Sequence, residues 1–248
     1  MLSEEVIIKN WDTLRNKINE LFPTRKDSLN KMYDEFEDRM STMPASSVEY
    51  YHSAFPGGYV HHILNVLVCA ESQYNMWNAN GADTTDFTLE ELLFCALHHD
   101  LGKVGFPGEG NEVYIINQSE WHVKNQGKIY THNPKNPFSL VPDLSLYLLQ
   151  YYNIPVSWNE YLGIRIHDGL YDDANKSYYI SRTEDSKLRS AMQLILHHAD
   201  HMAATIEYQQ WKNSTMSKKT EGKISSNHNK KLTQTDQATV ESLKNIFG

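Results

Sequence analysis

The sequence predicts an all-α fold on three observations. Apolar residues recur at helical spacing along most of the chain, helix start and stop signals bracket those runs, and there is no convincing alternating strand series or internal repeat. Val6, Ile7, Trp11, Leu14, Ile18, Leu21 and Phe22 mark a first amphipathic helix that Pro23 ends, and Leu29, Met32, Tyr33, Phe36 and Met40 mark a second over Asp27–Met40. Neither carries a chemical motif, so residues 1–50 read as an N-terminal helical segment packed on the core. Pro56-Gly57-Gly58 breaks the chain and launches a helix from Tyr59 to about Trp77. Thr88 with Glu91 three residues later is a capping-box signal for the helix that ends at His99-Asp100. Residues 103–142 are rich in Gly, Asn and Pro and read as a long irregular insertion, a length of loop that is usually functional or flexible. Leu144 and Leu146 to Leu149 mark the next helix, Ser157 to His167 a short one, and about Lys187 to Trp211 the last of the core. The Lys-, Ser-, Asn- and Thr-rich stretch from Asn213 to about Thr233 reads as a loose tether. It leads to a short amphipathic helix over 236–248, a candidate docking peptide for a protein partner. The expected division is therefore 1–50, 51–211 and a flexible basic tail, 212–248.

Composition excludes several classes. No run approaches 18 apolar residues and no basic-then-apolar leader opens the chain, so neither a membrane partner nor secretion is expected. Cys69 and Cys95 lie 26 residues apart in apolar helical runs and read as buried thiols of a cytoplasmic protein, not a disulfide or metal pair. Of the net charge of −8, residues 212–248 carry +4 (seven Lys against three acids), which leaves −12 on the first 211. A body that acidic does not hold duplex nucleic acid by counterion release. It can still handle a single phosphate ester if a bound metal supplies local positive charge. Ten of the twelve His residues fall between His61 and His201.

The densest chemistry is His98-His99-Asp100-Leu101-Gly102-Lys103, which closes the apolar run Leu92 to Leu97. Neighbouring residues on a helix point about 100° apart, so His99 and Asp100 cannot share one ion from mid-helix. At the last turn their side chains can converge beyond the helix end, where the macrodipole favours a cation. A buried His bonded to a neighbouring carboxylate would explain a lone pair of this kind. Two further helices, however, carry metal-type donors: Gly57-Gly58-Tyr59-Val60-His61-His62 and His197-His198-Ala199-Asp200.

Gly-Gly-x-x-x-His, then His-Asp-x-Gly-Lys, then a distant helix with Ala-Asp-x-Met-Ala resembles the HD superfamily of metal-dependent phosphohydrolases, over roughly residues 55 to 210. The resemblance implies an HD-domain helical bundle with His62, His99, Asp100 and Asp200 as metal ligands. His61 and His98 are neighbours with other duties. Two imidazoles and two carboxylates suit Mn, Fe, Co, Ni or Mg. Four protein ligands on an octahedral ion leave two positions, for water and a phosphoryl oxygen, which makes a nucleophile near neutral pH. Asp100 and Lys103 are then the catalytic pair, with Lys103 reaching a phosphate oxygen; a solvated Lys after a helix stop is the alternative. Some members bind a second ion through extra His residues, and the candidates are His122, His132 and His167. Because His167 is not paired with another His, one ion is expected, with Arg165, His167, Lys124 and Lys128 on the substrate.

The spacing is most similar to the HD domains of bacterial 3′-exoribonucleases and related HD proteins. Those carry an attached oligonucleotide-binding barrel, for which no segment is found here. The Gly-Tyr-Pro motif of the cyclic-dinucleotide branch and the His-Asp-x-x-Glu-Asp signature of the ppGpp branch are also missing. The expectation is a phosphatase or phosphodiesterase acting on a small nucleotide. The alternatives are a 3′-end nuclease on short single strands and a non-catalytic metal-binding adaptor acting through the tail.

Overall fold

The computed structural model describes residues 2–180, 183, 188 and 190–227, with side chains described as far as Thr215. Helix α1 (Glu4–Leu21) buries Trp11, Leu14 and Ile18 at the spacing of one helical face, and Pro23 follows its end. The second apolar run is divided into α2 (Lys26–Glu35) and α3 (Glu37–Thr42). Phe36 sits at the break, its buried ring edge-on to Tyr152 at 5.8 Å. Periodicity could not reveal this break, because Met32 and Met40 are both fully buried on either side of it.

Helices α4 (Gly58–Ala79) and α5 (Leu89–His98) pack on each other at the centre, and α1 packs on α4, so the N-terminal helices share one core with the rest. Every residue of α5 from Leu92 to His98 is buried, the pattern of a helix enclosed by others. The expected capping box starts it: Glu91 N–H donates to Thr88 Oγ1 at 3.2 Å, and Thr88 N–H donates to Glu91 Oε2 at 2.8 Å. Such a cap contributes about 1 kcal/mol. After α5 a 3-10 turn spans Leu101–Val104. The fold is predominantly α-helical, with one addition inside the insertion. Strands β1 (Tyr114–Ile116) and β2 (Tyr130–His132) pair antiparallel around α6 (Glu120–Gln126), Tyr114 opposite His132. Three-residue strands are too short to display alternation, which is why the sequence pattern missed them. Arg39 of α3 fastens the start of the insertion by donating to the carbonyls of Val104, Phe106 and Gly108.

Helices α7 (Val141–Tyr151) and α8 (Trp158–Ile166) follow, then the short α9 (Lys176–Tyr179) and α10 (Met192–Asn227). The glutamate of α8's own capping box, Glu160, is also ion-paired with Arg25 at 2.8 Å. Helix α10 does not stop at Trp211 as expected. Between Lys212 and Glu221 no Gly or Pro interrupts the backbone ladder, so a polar composition alone does not end the helix. Residues Met1–Tyr208 and Gln209–Gly248 make two separate compact units. The short helix expected over 236–248 lies outside the described residues, as does Lys187, the expected start of the last core helix. Among the described residues no helix is long and apolar enough to cross a membrane.

The Gly-Gly pair has a packing reason. A Cβ on Gly58 would lie 2.0 Å from the carbonyl oxygen of Ser53, so only glycine lets the 45–53 loop close onto the start of α4. Gly58→Ala should therefore lower the unfolding free energy by about 1–3 kcal/mol, the range for overpacking a tight site. Chemical denaturation checks this, and a midpoint equal to wild type would show that the loop gives way without cost.

Candidate metal centre

Three helices deliver the principal donors, all within the first unit: His62 from the second turn of α4, His99 and Asp100 at the end of α5, and Asp200 from α10. His62 and His99 are fully buried and Asp100 is 4 % exposed. The turn after α5 is compressed against α7. A Cβ on Gly102 would lie 2.2 Å from Val141 O, and Ser145 of α7 accepts from Gly102 N–H at 2.7 Å while lying 3.0 Å from His99 O. This contact is the physical content of the glycine in His-Asp-x-Gly-Lys. It holds the end of α5 so that its last side chains converge.

Each imidazole is oriented from behind. His62 Nδ1 is 3.2 Å from Glu207 Oε1, and His99 Nδ1 is 3.0 Å from Ala96 O. His167 Nδ1 is 2.8 Å from Ile164 O. With Nδ1–H facing an acceptor, Nε2 carries the lone pair toward the cluster, the tautomer a metal ligand needs. Nε2 of His62 and Nε2 of His99 are both buried and make no hydrogen bond. They nonetheless lie among carboxylate oxygens. His62 Nε2 is 3.1 Å from Asp200 Oδ1 and 3.8 Å from Asp100 Oδ2, and His99 Nε2 is 3.7 Å and 3.4 Å from the same two atoms. Ligands around one octahedral ion with bonds of about 2.1 Å lie about 3.0 Å apart when adjacent and about 4.2 Å when opposite. The observed separations fall inside that range. His62, His99, Asp100 and Asp200 could hold one divalent ion.

The electrostatics suit a cation. Burial alone would raise Asp100, but Lys103 and His99 outweigh it and hold the carboxyl well below its ordinary value. Asp200 is likewise held down against burial, by His62 and His99. Burial would lower His62, yet Asp200 and Glu207 lift it to about 10, and His99 is raised by Asp100 against the same penalty. The buried Asp100 and the half-buried Asp200 thus stay ionised by drawing positive charge onto their neighbours. Lys103 Nζ is 2.5 Å from Asp100 Oδ2, and Tyr114 of β1 stands beside that Lys, its phenol raised by burial.

The other expected residues divide. His167 is buried, 3.8 Å from Asp100 Oδ1 and 3.6 Å from Asp168 Oδ1. Arg165 pairs with Asp143 at 3.0 Å and lies 3.7 Å from Asp172, while its Nη1 is buried and makes no hydrogen bond. His122 and Lys124 are exposed on α6, His122 paired with Ser119 Oγ at 2.6 Å. Lys128 lies between α6 and β2, and His132 is exposed at the end of β2 against Tyr114. Among the described residues, the donor groups close enough to share an ion include His167 but neither His122 nor His132. An insertion His has no defined distance in sequence to the centre, and the hairpin takes these two to the surface. His61 faces Asn65, and His98 is a core residue between Tyr33 and the carbonyl of Phe94.

Two residues escaped the sequence reading. Glu207 lies about two helical turns beyond Asp200 on α10. Held down to about 2 against burial by His62, Asn65 and Ser53, it binds all three at 3.2, 2.8 and 2.7 Å. His52, in the loop before α4, places its ring 4.4 Å from that of His62. The i, i+7 spacing of Asp200 and Glu207 was the available signal for the first; nothing in the local sequence marks the second. No protein-family model, curated protein or solved structure matches this chain.

Glu207→Gln keeps the volume but removes the charge that orients His62. Mn(II) affinity should fall about 10–100-fold with the fold retained, as for other residues that support a ligand from behind. A direct Mn(II) titration checks this, and unchanged affinity would sink the assigned role.

Proposed function

We propose that the protein is a metal-dependent phosphohydrolase of the HD type, acting on a phosphate ester or anhydride of a small nucleotide. The observation that carries this reading is the pair of buried, unpartnered Nε2 atoms of His62 and His99 facing Asp100 and Asp200. When bound there, a divalent ion supplies Lewis acidity and a water acidic enough to attack near neutral pH. The protein's own part is orientation and charge. Glu207 and Ala96 O fix the two imidazoles, and burial keeps bulk water from competing for Asp100. Lys103 balances Asp100 and stands where its ammonium can meet a phosphate oxygen.

A nucleotide is favoured by what lies next to His167. A cavity of about 420 Å³ opens beside it, with Tyr171, Tyr179, His197 and Leu194 in its wall. His197 Nδ1 lies 2.8 Å from the carbonyl of His167, which ties that wall to the metal cluster. Flat rings over an apolar floor accept a base by stacking, a sequence-tolerant contact. The acidic body argues against long nucleic acid.

A second reading concerns the number of ions, and it has an observation of its own. Asp100 turns Oδ2 to His62 and His99 and Oδ1 to His167, and Asp168 flanks the same His167 nitrogen. That arrangement supports a second ion shared through Asp100, in place of a His167 that serves substrate alone. Mn(II) titrated to excess counts one ion per chain in the first case and two in the second.

Asp100→Ala should reduce hydrolysis of the best substrate to the level of the metal-stripped protein while the helical circular dichroism is kept. The screen uses nucleoside mono- and triphosphates, cyclic nucleotides and short oligonucleotides with Mn, Ni, Co or Mg. Full activity in the Asp100→Ala protein would place the chemistry elsewhere, and no metal-dependent hydrolysis of any of these by the wild type would refute the enzyme reading.

A further inference from the structure

The loop between α3 and α4 presents an imidazole to the cluster that neither the motifs nor the ligand set requires. His52 Nε2 is buried and has no hydrogen-bond partner. A ring nitrogen of His52 lies with a donor atom of His62 and one of Asp100 inside a group whose members are all within 4.8 Å of one another. Its ring packs on that of His62 at 4.4 Å between centroids, tilted by 36°. An unpaired polar nitrogen in such a place carries a desolvation penalty unless something meets it.

The chain also spends conformational strain to hold this residue there. Ser53, the next residue, adopts φ 47°, a left-handed value that is unfavourable for a residue with a side chain. Three contacts hold that turn. Ser53 O accepts from Ala45 N–H at 3.1 Å, the missing Cβ of Gly58 makes room for the same carbonyl, and Ser53 Oγ donates to Glu207 Oε2 at 2.7 Å. Glu207 therefore sets His62 with one oxygen and the loop bearing His52 with the other. One carboxylate fixes the two imidazoles relative to each other.

On the reading that the cluster holds a divalent ion and takes a phosphorylated substrate, we propose that His52 binds the substrate's phosphoryl group, donating its Nε2–H to a non-bridging phosphate oxygen. The charge balance favours this over a further ligand role. Asp100 and Asp200 already supply two negative charges for a divalent ion, and His62 and His99 supply two neutral donors. An arriving phosphate brings more negative charge, whereas Lys103 is already engaged with Asp100. A neutral N–H donor at the edge of the cluster stabilises that oxygen without repelling the ion.

The test uses the full chain with Mn(II) and inorganic phosphate as probes. His52→Phe keeps a ring against His62 without a donor, His52→Ala removes the ring, and His52→Gln retains an N–H near the Nε2 position. Thermal melts identify which variants fold, and either Phe or Ala suffices for the comparison. Calorimetric titration of Mn(II), then of phosphate into the Mn-loaded proteins, should show Mn(II) affinity close to wild type in all variants. Phosphate affinity should drop roughly tenfold or more in Phe and Ala, the worth of one hydrogen bond to a charged group, and recover in part in Gln. Undiminished phosphate affinity in the Phe or Ala protein overturns the proposal while leaving the metal reading intact. Loss of Mn(II) binding with those substitutions overturns it too, and makes His52 a ligand. A wild-type protein that takes up no Mn(II) overturns the metal reading first and this inference with it.

Discussion

Asp100 and Asp200 are charged groups placed close together under the packed surface of α4, α5 and α10, and the structure depends on how that charge is balanced. The two carboxylates repel each other, and the buried Asp100 also forgoes hydration, a penalty of several kcal/mol that only close counter-charge offsets. Around them stand Lys103, His62, His99 and His167, each within 4 Å of one carboxylate or both. Without a cation, His62 and His99 take up protons to fill that role, and both are pushed above their ordinary range by the carboxylates beside them. A divalent ion would take the same role and would meet the Nε2 atoms of His62 and His99 at once. Holding such a cluster together is a demand on the scaffold, and much of the scaffold answers to it.

That answer is made by close backbone approach at two glycines. Gly102 lets α7 press on the turn after α5, so Ser145 can bridge the carbonyl of His99 and the N–H of Gly102. Gly58 lets the 45–53 loop close over the start of α4, and Glu207 then bonds to both. Each glycine of the motifs thus serves the position of donors it does not touch. The apolar helices around them give the rigidity: α5 is enclosed along its whole last two turns, and the N-terminal helices cover α4 from the other side. A site built this way is set before any ligand arrives, so little ordering remains to be done on binding. The insertion contributes less to that rigidity and more to the surroundings. Its hairpin brings Tyr114 beside Lys103, while Arg39 of α3 fastens its first turn.

The helices were legible because amphipathic spacing and capping chemistry are local properties. Thr88 with Glu91, Pro23 after the first run and Gly57-Gly58 before the third each act within a few residues of themselves, so reading them requires no knowledge of the fold. The break at Phe36 and the strands at Tyr114 and Tyr130 escaped because their causes are tertiary or too short to leave a period. The same division runs through the site. His62, His99, Asp100 and Asp200 sit in motifs whose order along the chain already suggested a shared ion. Glu207 and His52 carry no motif at all and join the cluster only through contacts 145 and 10 positions away from His62 in sequence. His122 and His132 had the right chemistry on paper, yet the hairpin carries both to the surface, outside the donor groups close enough to share an ion among the described residues.

By itself, then, the order of residues determined the helical class and the helix starts, since each depends on neighbours within one or two turns. Which imidazoles meet which carboxylates was decided only when α4, α5, α8 and α10 came together, because direction in space, unlike type, is a property of packing. His167 shows this most plainly. In sequence it stands alone at a helix end, and in the fold its Nε2 faces both Asp100 and Asp168, because α8 lies against α5.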